Sequence, residues 1–80
     1  MEYNITYHKS AEKYLDSQPA PTKERILDAI GKLPEGNVIK LKGREGYRLT
    51  IGGFRVLFRY SDAITIEIVS VGPRGDIYKK

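Results

Sequence analysis

Apolar residues recur at two spacings along this chain, and the change from one to the other divides it in half. In Glu2–Tyr7 they alternate, with Tyr3, Ile5 and Tyr7 on one face and Asn4 and Thr6 on the other, which predicts a first strand. From Lys9 to Gln18 the spacing lengthens to that of a helix, through Ala11, Tyr14 and Leu15. Pro19 and Pro21 interrupt it. A proline suits the first turn of a helix, where its missing N–H has no partner to lose. Pro21 therefore opens a second helix to about Leu33, with Ile26, Leu27, Ile30 and Leu33 as its stripe and Ala29 beside it. Pro34-Glu35-Gly36-Asn37 stops it. So short a joint makes the two helices a hairpin.

Alternation returns after a basic connection, Val38–Gly46. Tyr47–Ile51 and Phe54–Tyr60 read as two strands around a Gly52-Gly53 turn, since glycine supplies the positive φ a tight hairpin needs. Ser61-Asp62 reads as a second turn. Ala63–Val71 is the next strand, with Ile64, Ile66 and Ile68 on one face and Val69 and Val71 on the other. Apolar on both faces, it belongs inside the sheet. The predicted plan is α+β, in the order β-α-α-β-β-β: an antiparallel meander sheet with an N-terminal helical hairpin on one face. Residues 1–80 are expected to form a single domain.

Charge changes the picture. The chain carries +4, but residues 1–37 hold five Lys/Arg against six Asp/Glu, and residues 38–80 hold nine against four. A basic half calls for an anionic partner, nucleic acid or an acidic protein segment. Three of those cations, Arg48, Arg55 and Arg59, are written into the predicted strands, where a rigid backbone holds them. Fixed guanidiniums bind phosphate well. The same arginines equally suit solvated strand positions or docking points for an acidic protein. There is no cysteine, so neither a disulfide nor a thiolate metal site is available, and His8 cannot hold a metal alone. His8 reads as a cap or surface residue. No apolar run approaches the ~18 residues of a membrane span, and Met1–Ile5 lacks the basic-then-apolar order of a signal peptide. A cytoplasmic protein without membrane association is expected.

Leu41-Lys42-Gly43, Tyr47-Arg48-Leu49, Gly53-Phe54-Arg55-Val56-Leu57-Phe58 and Val71-Gly72-Pro73-Arg74-Gly75-Asp76-Ile77-Tyr78 follow one another at set positions. In that order they resemble the RelE/ParE superfamily of toxins from toxin–antitoxin pairs, over essentially the whole chain. The resemblance implies a microbial-ribonuclease-like sheet. For RelE-like members it implies a ribosome-dependent mRNA endoribonuclease. Such an enzyme cuts the A-site codon by attack of a ribose 2′-hydroxyl on the adjacent phosphate, with no metal and no small-molecule cofactor. For ParE-like members it implies a DNA gyrase poison without nuclease activity. A third reading is an inactive toxin fold that binds an antitoxin. The implied partners are a cognate acidic antitoxin, the ribosome and mRNA.

The family's ribonuclease pattern falls on Arg48, Arg55, Arg74 and Tyr78 as catalytic residues. Arg48 and Arg55 would hold the scissile phosphate, Arg74 would help the leaving 5′-oxygen and Tyr78 would stack on a base. A further basic position of the pattern falls on Thr50, which cannot accept a proton at neutral pH. By residue type, Glu45 and Asp76 are the candidate general bases, and either also suits a solvated acid among many cations. Lys40, Lys42 and Arg44 are candidate RNA-backbone contacts. Tyr3, Tyr14 and Tyr60 read as packing residues.

Overall fold

Alternating strands and striped helices can bury their apolar sides only against one another, and the computed structural model, which describes residues 3–73, shows that arrangement. The chain runs β1 (Asn4–Tyr7), α1 (Lys9–Asp16), α2 (Ala20–Gly31), β2 (Val38–Lys40), β3 (Tyr47–Ile51), β4 (Phe54–Asp62) and β5 (Thr65–Pro73). The strands form one sheet in the order β1-β5-β4-β3-β2. The meander β2-β3-β4-β5 is antiparallel, and β1 adds to β5 in parallel, pairing Ile5 with Ile66 and Tyr7 with Ile68. The α+β plan and the interior position of β5 are as the sequence predicts.

Both helices lie on one face. Ala11 and Leu15 of α1 and Ile26 and Ile30 of α2 share a buried cluster with Leu49, Val56, Phe58, Ile66, Ile68 and Val71 of the sheet. Each fully buried aliphatic or Phe side chain contributes roughly 1.5–3 kcal/mol. The tether between the helices is also pinned by Lys23 Nζ on Asp16 Oδ1 at 2.7 Å, an exposed pair of little energetic weight.

Four details depart from the sequence reading. Val38–Lys40 is a short edge strand, with Val38 opposite Leu49 and Lys40 opposite Tyr47; three residues are too few to show a period. The β4–β5 turn lies at Ala63-Ile64, two residues later than Ser61-Asp62. The cause is Asp62, whose carboxylate accepts the Ile64 N–H at 2.9 Å and so closes the turn after itself. Ile64, on that turn, is 49% exposed rather than in the core. Finally, Val71 shares the core face with Ile66 and Ile68. The register passes from Phe58↔Ile68 to Leu57↔Ser70, so Val69 is an extra residue that inverts the alternation beyond it. Of the two turn glycines, Gly52 carries the positive φ, 53°, and Arg25 Nη2 lies 2.6 Å from where a Cβ would be.

Candidate functional site: a basic cleft on the open sheet face

With Leu49, Val56 and Phe58 turned to the helices, the intervening residues of β3 and β4 face away from them. Arg48, Thr50, Arg55, Leu57 and Arg59 therefore share the uncovered face. In register Arg48 stands opposite Leu57 and Thr50 opposite Arg55, so Arg48 and Arg55 are diagonal neighbours across β3 and β4. Arg55 is 5% exposed, held between Thr50 on one side and Gly72 on the other. A mid-sheet position with strands on both sides fixes its backbone. Glycine at position 72 sets no side chain beside it on that strand.

These two arginines line a cleft of about 450 Å³. Its apolar members are Ile39, Leu41 and Leu57, and Lys40, Lys42 and Arg44 complete the lining. None of the described residues lining it is acidic. Local geometry explains the cationic loop: the Leu41 N–H donates to the Gly46 carbonyl at 3.0 Å, which closes residues 42–45 into a tight excursion. At Gly46, φ is 117° and a Cβ would lie 3.1 Å from the Phe58 carbonyl oxygen, so glycine lets the loop's return press against β4. Five cations facing a half-apolar cleft concentrate positive potential, because low-dielectric walls focus the field.

Of the sequence-predicted residues, Arg48, Arg55, Lys40, Lys42 and Arg44 are thus brought together. Glu45 is not among the cleft's lining residues. It lines an adjoining cleft that shares Lys40 and Arg44 with the first. Arg74, Asp76 and Tyr78 lie outside the described residues. Gly72, paired with Arg55, stands two positions before Arg74 in the chain.

Sequence reasoning missed a polar chain further along the same face. Glu67 of β5 stands opposite Arg59 and accepts from Arg59 Nε at 2.7 Å. Its other oxygen lies 2.6 Å from His8 Nε2. His8 precedes α1 but its side chain makes no cap bond; it turns to Glu67 instead. The Arg59 hydrogen bond, and then His8, hold the Glu67 carboxyl below its ordinary value, and Glu67 in turn raises Arg59. No short-range pattern could reveal a pair 59 positions apart. Tyr60 is the other surprise. It contacts Tyr3, Tyr47 and Phe58 at ring-centroid separations of 5.6–6.2 Å, yet it is 38% exposed. Burial pushes its phenol up, with smaller contributions from Tyr3 and Tyr47.

Among the described residues, no group of three His, Cys, Asp or Glu side chains is placed to hold a metal ion. No helix there is long and apolar enough to cross a membrane.

The sequence profile described as ParE toxin of type II toxin–antitoxin system matches residues 5–78. The fold matches a chain of the archaeal RelE–RelB complex from Pyrococcus horikoshii at a TM-score of 0.74 and 31% identity, covering 94% of this chain and 98% of that one. It matches the RelBE2 toxin–antitoxin complex from Mycobacterium tuberculosis at a TM-score of 0.78 and 18% identity, over 92% and 100% of the two chains. The intact E. coli RelBE complex gives 0.73 and 20%, over 89% and 95%. No match was found among curated protein sequences.

Proposed function

The chain belongs to the ParE/RelE toxin family of type II toxin–antitoxin systems, and on that premise we propose that it is a ribosome-dependent mRNA endoribonuclease. It cuts the A-site codon by attack of a ribose 2′-hydroxyl on the adjacent phosphate. The observation that carries the reading is the buried Arg55 beside Arg48, in a cleft whose other charged members are Lys40, Lys42 and Arg44. That is a phosphate site followed by a backbone track. Arg55 and Arg48 hold the scissile phosphate and neutralise the added charge of the pentacoordinate transition state, the kind of preorganised electrostatics that often dominates catalysis. Lys40, Lys42 and Arg44 contact neighbouring phosphates. Arg74 assists the leaving 5′-oxygen and Tyr78 stacks on a base. Glu45 and Asp76 are the candidate proton acceptors. The protein acts in the cytoplasm, and a cognate acidic antitoxin neutralises it by covering the basic face.

Two observations favour a second reading, a gyrase poison that binds without cutting. The matching profile bears the ParE name, and Thr50 beside Arg55 cannot exchange a proton at neutral pH. One experiment separates them. After induced expression, primer extension maps mRNA ends, and the purified protein is assayed for inhibition of gyrase supercoiling. Cuts within codons establish the nuclease. Gyrase inhibition without cuts establishes the poison, and neither result leaves an inactive toxin fold.

A further inference from the structure

We propose that the cleft beside the Arg48–Arg55 site is a second nucleotide subsite, in which Tyr60, with Tyr47, stacks a base flanking the one at the scissile phosphate. The proposal rests on the RNA reading above. The adjoining cleft, of about 490 Å³, is lined by Tyr47 and Tyr60 together with Lys40, Arg44 and Arg59. Three features point to a nucleotide. The cleft combines aromatic rings with cations, the combination that holds single strands: rings take the base and guanidinium or ammonium groups take the phosphate. It neighbours the first cleft, and Lys40 and Arg44 line both. A strand crossing between them therefore keeps its backbone on the same two cations. And its third cation is prearranged, since Glu67 fixes Arg59 through Nε at 2.7 Å and is itself engaged by His8.

Tyr60 is suited to the role because the cluster holds its ring. Contacts to Tyr3, Tyr47 and Phe58 restrict it, yet more than a third of its surface stays open. A base stacking there loses little side-chain entropy. Glu45 also lines this cleft. Its carboxylate repels phosphate locally and accepts hydrogen bonds from base amino groups, which favours a base over a second phosphate at that wall.

The test is binding of uncleavable 2′-O-methyl oligoribonucleotides, measured by fluorescence anisotropy with purified full-length protein. The oligonucleotides increase in length one residue at a time. Tyr60→Phe keeps the ring and should bind within about twofold of wild type. Tyr60→Leu keeps apolar packing without the π face and should weaken the longer oligonucleotides about tenfold, leaving the shortest that bind unchanged. Arg59→Gln should flatten the salt dependence by about one phosphate contact. Melting temperatures identify any variant that fails to fold. A folded Tyr60→Leu that binds every length like wild type, while Arg55→Met weakens all of them, overturns the subsite and spares the phosphate site. If neither substitution changes binding, or wild type binds no oligonucleotide, the subsite is overturned, and the ribosome-dependent reading stands or falls separately on the primer-extension result. Equal weakening of all lengths by Tyr60→Leu also refutes the proposal, because it shows a general loss of shape.

Discussion

Replacing Arg55 should abolish cleavage, and its burial dictates which replacement tests this cleanly. Alternation alone suggests an exposed arginine whose truncation costs little packing. At 5% exposure Arg55 is instead a wall of the sheet face. Truncation to alanine removes most of a long side chain from a packed position, and emptying a comparable buried site costs about 2–5 kcal/mol. An 80-residue domain has a total stability of only about 4–12 kcal/mol, so inactive Arg55→Ala would prove nothing. Methionine keeps the aliphatic stem and deletes the charge. A cation about 4 Å from a transition-state phosphate at an effective dielectric of about 20 is worth about 4 kcal/mol, or roughly 10³-fold in rate. Loss of one preorganised donor elsewhere costs ~10²–10³. Arg55→Met should therefore melt within a few degrees of wild type and cleave programmed ribosomes 10²–10³-fold more slowly in single turnover. A stable Arg55→Met that cuts within tenfold of wild type would refute the assignment of this cleft as the phosphate site.

Four further outcomes are expected. Glu67 has a folded pKa held below its ordinary 4.5 by Arg59 and His8, so its stabilisation is present above about 4.5 and lost as pH falls through the folded value. The stability gap between wild type and Glu67→Gln in urea should thus be full at neutral pH and close on acidification; a gap that widens instead contradicts the pairing. Phe58, 1% exposed at the centre of the cluster, should lose about 3–5 kcal/mol on change to alanine, read as a fall in urea midpoint. Association with the antitoxin should slow steeply as salt rises to physiological levels in stopped-flow measurements, because complementary charge acts mainly on the on-rate; a salt-independent rate argues against a basic docking face. Thr50→Lys should keep or raise cleavage, and comparison of Glu45→Gln with Asp76→Asn across pH should show which carboxylate, if either, takes the proton; less than a tenfold loss in both removes a carboxylate base altogether.

What the sequence discloses and what it hides follow physical lines. Ala11, Leu15, Ile26 and Ile30 each reach the core because helical spacing has no other way to bury them. Leu49, Val56 and Phe58 do so by strict alternation. The pattern fails where one residue breaks the count: Val69 inverts the phase of β5, and Asp62 moves its turn by capping it. It is silent on β2, where pairing to β3 rather than local preference makes Val38–Lys40 a strand. For the site, alternation correctly places Arg48 and Arg55 on one face. It says nothing of depth, because Arg55 owes its burial to a position between two neighbouring strands that the local pattern does not contain. His8 with Glu67, and Tyr60 with Tyr3 and Tyr47, depend on contacts between distant segments that no local window contains.

The cleft's composition also bears on how a nuclease of this design could work. Among its described lining residues there are five cations and no carboxylate or imidazole. The side chains that most often take a proton in such a reaction, carboxylate and imidazole, are therefore not among them. What such a cleft does well is fix a phosphate and oppose new negative charge. Stabilising the dianionic transition state lowers the barrier for an attack already aligned. Holding the hydroxyl in line with the phosphate can supply several orders of magnitude more. A general base adds ~10²–10⁴ on top of these. Of the two carboxylates available by type, only Glu45 falls among the described residues, and it does not line the Arg48–Arg55 cleft. Glu45 lines the adjoining cleft, and Asp76 lies in the segment that follows Gly72, Arg55's register partner. The division of labour that follows is electrostatic strands and a separate proton acceptor, so substitutions in the strands should depress the rate uniformly with pH, whereas loss of the true base should change the shape of the pH profile.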